Sequence, residues 1–186
     1  MTPPPTVDTR PFWAGFPSGV AIVTALAGDG RPWGMTCTSL CSVSLDPPIL
    51  LVCLRCGSPT LEAVQETGAF CVNLLHDGAR GTSNLFASGA ADRFDRVRWR
   101  AGPGAAGPHL TEAAHTIADC AVLEDRTVGD HAVVMGRVEG LARLGPQRPL
   151  LYGRRRYASW PEAVDADEAG IAPVPLRLAS VIEGLG

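Results

Sequence analysis

Small hydroxyl and thiol side chains crowd one stretch of the sequence, Gly34-Met35-Thr36-Cys37-Thr38-Ser39-Leu40-Cys41-Ser42-Val43-Ser44-Leu45-Asp46-Pro47-Pro48. In a half-buried segment such groups must find partners, because an unpaired buried hydroxyl costs on the order of 1–3 kcal/mol. Two readings follow. Either the hydroxyls bond neighbouring strands, or they and the backbone face a polar, planar ligand with a phosphate tail. Ser58-Pro59-Thr60 adds a helix start, with Ser58 as N-cap and Pro59 at the first helical position. A helix start presents free N–H groups and a favourable dipole to an anion, although Ser58 also reads as a plain cap. The chain has 16 basic residues and no lysine, so any phosphate grip falls to arginine, hydroxyls or backbone N–H groups. Arg55 stands just before the helix start, as an anion partner or a solvated surface residue. The absence of lysine also removes Schiff-base chemistry and the phosphate-loop lysine.

Other chemistries find less support. Gly102-Pro103-Gly104-Ala105-Ala106-Gly107 matches G-x-G-x-x-G, but the dinucleotide fingerprint needs a strand before it and a helix at its end. Here Pro103 and Pro108 flank the glycines, which reads as a loop. No G-x-S-x-G occurs. His76, His109, His115 and His131 form no i, i+4 pair, and Cys53-x-x-Cys56 lacks the second pair or histidines that zinc requires, so no metal site is expected. The six cysteines read as free thiols in a cytoplasmic protein. A net charge of −3 argues against a nucleic-acid partner, and no apolar run reaches membrane-spanning length.

The elements that must position these residues are short. Residues 9–16 suggest a helix with Phe12, Trp13 and Phe16 on its inner side. A β-branched run over 20–26 ends at the hairpin signal Gly28-Asp29-Gly30. Residues 33–45 read as part strand and part functional loop, stopped by Asp46-Pro47-Pro48, and 49–54 as a buried strand. A helix over 60–66 closes at Gly68, a strand follows over 69–75, and 79–88 suggests a further helix. Residues 117–123 and 131–144 read as strands around a Gly129-Asp130 turn, with a short segment at 149–152. Six or so strands without βαβ rhythm predict a mainly β fold, a closed or nearly closed antiparallel barrel. The expected organisation is an N-terminal arm over 1–10, one domain over 11–160 and a tail over 161–186.

Taken in order, several signatures resemble a known family. They are Phe16-Pro17-Ser18-Gly19-Val20-Ala21-Ile22-Val23-Thr24, Gly34-Met35-Thr36 through Pro47-Pro48, Ser58-Pro59-Thr60, Phe70-Cys71-Val72-Asn73-Leu74-Leu75, Asp92-Arg93-Phe94, Gly129-Asp130-His131 and Pro149-Leu150-Leu151-Tyr152. This series resembles the flavin reductases of the FMN-binding split-barrel type, the reductase halves of two-component monooxygenases. The resemblance implies a Greek-key split barrel with short flanking helices, hydride transfer from NADH or NADPH to FMN or FAD, and a homodimer with flavin at the subunit interface. It also implies an oxygenase partner that receives the reduced flavin. By the same resemblance Met35, Thr36, Cys37, Thr38 and Ser39 match the segment that holds the flavin, and Ser58 and Thr60 lie near its phosphate, beside Arg55. Asn73 matches a strand-end asparagine near the flavin, Phe94 an aromatic along the pocket, and His131 the histidine that contacts NAD(P)H, with Tyr152 in the same pocket. A non-catalytic flavin- or haem-binding electron carrier or sensor, an oxidase on the same barrel and a plain interaction module are the other classes open. The chain departs from the family's Tyr-x-x-Gly-x-Tyr pattern with Tyr152-Gly153-Arg154-Arg155-Arg156-Tyr157, and carries Cys37 and Cys41 where Ala and Phe-like residues are usual.

Overall fold

The computed structural model describes residues 7–102 and 104–160. Helix α1 (Arg10–Ala14) and the short β1 (Ser18–Gly19) lead into β2 (Ala21–Leu26), β3 (Pro32–Cys37), β4 (Leu40–Leu45) and β5 (Pro48–Arg55). Helix α2 (Pro59–Thr67), β6 (Ala69–Leu75), a 3-10 turn (Asp77–Ala79) and α3 (Arg80–Ala87) follow. The long pair β7 (Ala114–Val128) and β8 (His131–Arg143) and the small pair β9 (Leu150–Gly153) and β10 (Arg156–Ser159) complete them.

Seven strands form one antiparallel sheet in the order β3-β2-β6-β7-β8-β5-β4, and β1-β9-β10 form a second. The two edge strands of the large sheet, β3 and β4, are separated in the chain by Thr38 and Ser39 alone. The sheet therefore curls until its edges meet at that corner, where Cys53 N–H donates to the Ser39 carbonyl at 3.2 Å. No ladder joins β3 to β4, so the mainly β expectation holds and the closed barrel does not. The reason lies in β4 itself. Cys41, Ser42, Val43 and Leu45 are exposed, and the strand pairs with β5 alone.

The middle strands are covered on both faces, which explains their unbroken apolar runs. On β2, Ala21, Val23 and Ala25 face one cluster with Val52, Leu54, Phe70, Val72 and Val134, while Ile22 faces a second with Leu75, Phe86, Phe94, Leu110 and Leu150. Helix α2 plugs the first cluster with Leu61 and Val64. Its Ser58 hydroxyl caps the Leu61 N–H at 3.3 Å, and Gly68 ends it at φ 68°, a left-handed conformation that glycine adopts without strain. Helix α3 and the second sheet cover the other cluster.

Three sequence expectations need correction. Residues 33–45 divide into two strands at opposite edges instead of one strand and a loop. The aromatic residues of the first helix face solvent: Phe12, Trp13 and Phe16 are 72%, 60% and 65% exposed. The helix is too short to lay a face on the core, and the three rings stack edge-on with one another instead, with centroids 5.0 and 6.4 Å apart. Strand β10 was not anticipated, because its turn lacks turn chemistry. Arg154 and Arg155 occupy the two turn positions at φ 49° and 59°, where asparagine and glycine are favoured and other residues cost about 1 kcal/mol or more each. The displaced Gly153 has its own reason: a Cβ there would lie 3.0 Å from Pro17 Cβ. The expected tail at 161–186 lies outside the described residues, as do residues 1–6 of the N-terminal arm.

Candidate functional site

Ladder register decides which candidates meet. Arg55, the last residue of β5, stands opposite His131, the first of β8. Cys56 N–H donates to the Asp130 carbonyl at 2.9 Å and Ser58 N–H to the Arg55 carbonyl at 3.2 Å, which folds the start of α2 against the β7–β8 turn. Ser39, two strand positions back, reaches the same end: its hydroxyl donates to the Cys53 carbonyl at 3.1 Å. Thr38, Ser39, Arg55, Ser58 and His131 thus line one rim of the curled sheet. The unpaired edges of β3 and β4 open onto it, leaving backbone N–H and C=O groups free of any ladder.

His131 is half-exposed, with Nδ1 2.8 Å from Asp130 Oδ1. The hydrogen bond with His131 holds the exposed Asp130 carboxyl below its usual range, with His131 charge adding to it. Among the described residues Nε2 makes no hydrogen bond. The Thr38 hydroxyl has none either.

The remaining candidates sit behind the rim. Met35 and Thr36 are half-buried, and Thr36 Oγ1 donates to the Ser83 carbonyl at 2.7 Å. Cys37 is buried, its Sγ 3.3 Å from Ser39 Oγ, and burial pushes its thiol up. Thr60 is buried beneath the start of α2. Phe94 is buried edge-on between Phe86 and Trp99, with centroids 5.1 and 5.8 Å away. Half-buried Tyr152 packs against Tyr157 on the second sheet.

Asn73 is fully buried and every polar group of its amide is engaged within the protein. Nδ2 donates to the Ile22 carbonyl, Thr24 Oγ1 and the Pro108 carbonyl at 3.2, 3.0 and 3.3 Å, and Oδ1 accepts from Leu110 N–H at 2.8 Å. The glycine-rich loop is thereby fastened onto β2 and β6. Gly107 is needed for that approach, since a Cβ there would meet the Thr24 carbonyl oxygen at 2.5 Å. A second fastening escaped the sequence reading. His109 Nε2 lies 2.9 and 3.0 Å from the two Asp119 oxygens, and Asp119 Oδ1 also accepts from Ala106 N–H. With Cys71 these residues bring three ligand-type atoms within 4.8 Å of one another, a grouping drawn from three elements that no local spacing signals. Burial, and then the Asp119 charge, push the Cys71 thiol well up, so it stays protonated beside the His109–Asp119 clamp. Arg93 has a role that its neighbours in the sequence do not signal: its guanidinium is buried, donating to the Gly34 and Ala90 carbonyls at 3.0 and 2.8 Å and lying over Trp33. It braces the strand that leads into the rim.

The chain as a whole, and the open antiparallel sheet it forms, can be set beside known proteins. The model of the flavin reductase like domain matches residues 13–161. The chain belongs to that family. A flavin reductase (NADPH) of Lentzea aerocolonigenes is 48% identical over 153 residues, covering 82% of this chain and 89% of that one. A reductase subunit of a flavin-dependent monooxygenase from Rhodococcus jostii is 35% identical over 158 residues, covering 85% and 77%. Among solved structures, the NADH:FAD oxidoreductase of Streptomyces globisporus, in complex with NAD and FAD fragments, superposes with a TM-score of 0.77 at 28% identity, covering 87% of this chain and 99% of that one. In this flavin reductase like chain no described helix is long and apolar enough to cross a membrane.

Proposed function

We propose that the protein is an NAD(P)H:flavin oxidoreductase that passes hydride from NADH or NADPH to FMN or FAD and supplies reduced flavin to a monooxygenase component. The observation that carries this reading is the convergence of Arg55, Ser58 and His131 with the open β3–β4 corner on one rim, in a chain of the flavin reductase like family.

The donor set suits a flavin. Unladdered backbone groups and the Thr38 and Ser39 hydroxyls supply the alternating donors and acceptors that a planar, polar ring edge requires. The start of α2 and the Arg55 guanidinium supply positive potential for a phosphate. When bound, the flavin supplies an electrophilic ring nitrogen that accepts hydride. This chain's residues then have modest duties. Thr38 and Ser39 orient the ring, Arg55 and the capped helix hold the phosphate, and His131, oriented through Nδ1 by Asp130, presents Nε2 to the nicotinamide nucleotide. Positioning a donor and acceptor at about 3–3.5 Å and excluding water is most of the catalysis that hydride transfer needs. Met35, Thr36, Cys37, Thr60, Asn73, Phe94 and Tyr152 serve this rim from behind.

The protein works as a homodimer. Exposed Val43 and Leu45 on β4, beside the proposed flavin rim, give a second copy an apolar surface to cover. A cytoplasmic setting accords with six cysteines that are all free thiols. The test is steady-state oxidation of NADH and NADPH with and without added FMN or FAD. Turnover that depends on added flavin is expected. Folded protein that oxidises neither nucleotide with either flavin contradicts the reading and favours a non-catalytic flavin carrier.

A further inference from the structure

Four arginines gather around the β9–β10 hairpin, and among the described residues none has an acidic partner: Arg80, Arg154, Arg155 and Arg156. The hairpin is tied to the proposed flavin segment by a short chain of contacts. Tyr157 donates its hydroxyl to Asn84 Oδ1 at 2.9 Å and lies 2.9 Å from Ser83 Oγ, and the Ser83 carbonyl accepts from Thr36 Oγ1. Arg80 lies over the Tyr157 ring at 5.3 Å. Arg154 N–H donates to the Ala14 carbonyl, so the turn is pinned against the N-terminal helix.

The two turn residues are the informative ones. Both hold a positive φ that asparagine and glycine adopt with little strain, and both are arginine. Neither side chain bonds back to the described protein; only the Arg154 backbone is held, through its N–H on the Ala14 carbonyl. The turn presents two exposed arginines on adjacent residues. A planar guanidinium matches the oxygens of a phosphate in a two-pronged hydrogen bond, and two of them suit a terminal phosphate with two negative charges. NADPH carries one such group that NADH lacks, the 2′-phosphate of its adenosine ribose.

We propose that Arg154 and Arg155 grip the 2′-phosphate of NADPH, so that this turn selects NADPH over NADH. The proposal rests on the reductase reading and goes beyond it by naming the donor and the residues that choose it. A solvated basic loop has no need of two side-chain-bearing residues in the left-handed region, whereas a phosphate clamp gains from two arginines on adjacent turn positions.

The test compares wild type with the double variant R154N/R155G. Asn-Gly is the pair that this turn type prefers, so the hairpin persists while both charges go. The expected result is a rise of about tenfold or more in KM for NADPH, with kcat and the KM for NADH within about twofold. Adenosine 2′,5′-bisphosphate should compete with NADPH in wild type and do so about tenfold more weakly in the variant. NADPH kinetics that ignore the substitution, or a wild type that favours NADH, overturn the proposal while leaving the reductase reading standing. A wild type that oxidises neither nucleotide overturns both.

Discussion

Cys41 is exposed on β4, while Cys37, Cys71 and Cys120 are buried, and this contrast sets their chemistry. Burial pushes the Cys37 and Cys71 thiols up and raises that of Cys120 to about 12, so none of the three forms thiolate near neutral pH. Labelling of the native protein with an aromatic disulfide reagent at pH 8 should therefore leave these three untouched until unfolding; rapid labelling of Cys37 in native protein contradicts its burial. Asn73 carries a stability prediction. Asn73→Ala strands the Leu110 N–H and takes a donor from the Ile22 and Pro108 carbonyls and from Thr24 Oγ1, each bond worth on the order of 1 kcal/mol. A loss of about 3 kcal/mol, or about 6–12 °C in Tm for a chain of this size, is expected from thermal melts. Local chemistry made Ser58 legible in the sequence, because a cap depends on the next three residues. The engagement of Asn73 was not legible, because its partners lie 35 to 51 residues away.

At the scale of elements, the same locality separates what the sequence conveys from what it hides. Helix α2, β6 and the β7–β8 turn follow from a proline, a glycine or an apolar run within the element. Strand β10 does not, since the turn that creates it holds two arginines where the pattern calls for asparagine or glycine. Arg155→Gly should relieve that turn and raise stability by about 1 kcal/mol, seen as a Tm gain of about 2–4 °C. An unchanged or lowered Tm contradicts the left-handed assignment. At the start of β7, burial, and then the charges of His76 and Arg143, push the His115 imidazole below its ordinary value of 6.5. As pH falls through 6.5 the unfolded chain takes up this proton first, so stability drops from there until the folded-state value is passed, then levels. His115→Gln should flatten the decline of Tm between pH 7 and 5; an equal decline in both proteins removes His115 as its source.

For the whole molecule, the decisive feature is the corner where β3 passes into β4. Six or so short strands without βαβ rhythm predicted a mainly β fold, and a crowd of hydroxyls marked the segment that bears the rim, but nothing local showed that the segment joins opposite edges of one sheet. That topology is a long-range property: it leaves the sheet open and its edge groups free, which is why the predicted closed barrel gives way to a rim able to take a planar ligand. The exposed aromatics of α1 and the apolar residues of β4 leave the single chain with surface to cover. Sedimentation should therefore report about twice the 19.5 kDa chain mass. Hydride transfer is proposed to occur at the rim where His131 meets Arg55 and the start of α2. It is tested most directly by anaerobic rapid mixing of flavin-loaded protein with NADH or NADPH, following loss of the flavin's yellow absorbance in wild type and His131→Asn. Hydride transfer slowed by about tenfold or more, with flavin affinity unchanged, is the predicted result. Bleaching at the wild-type rate in the variant would place the nicotinamide elsewhere and contradict the account.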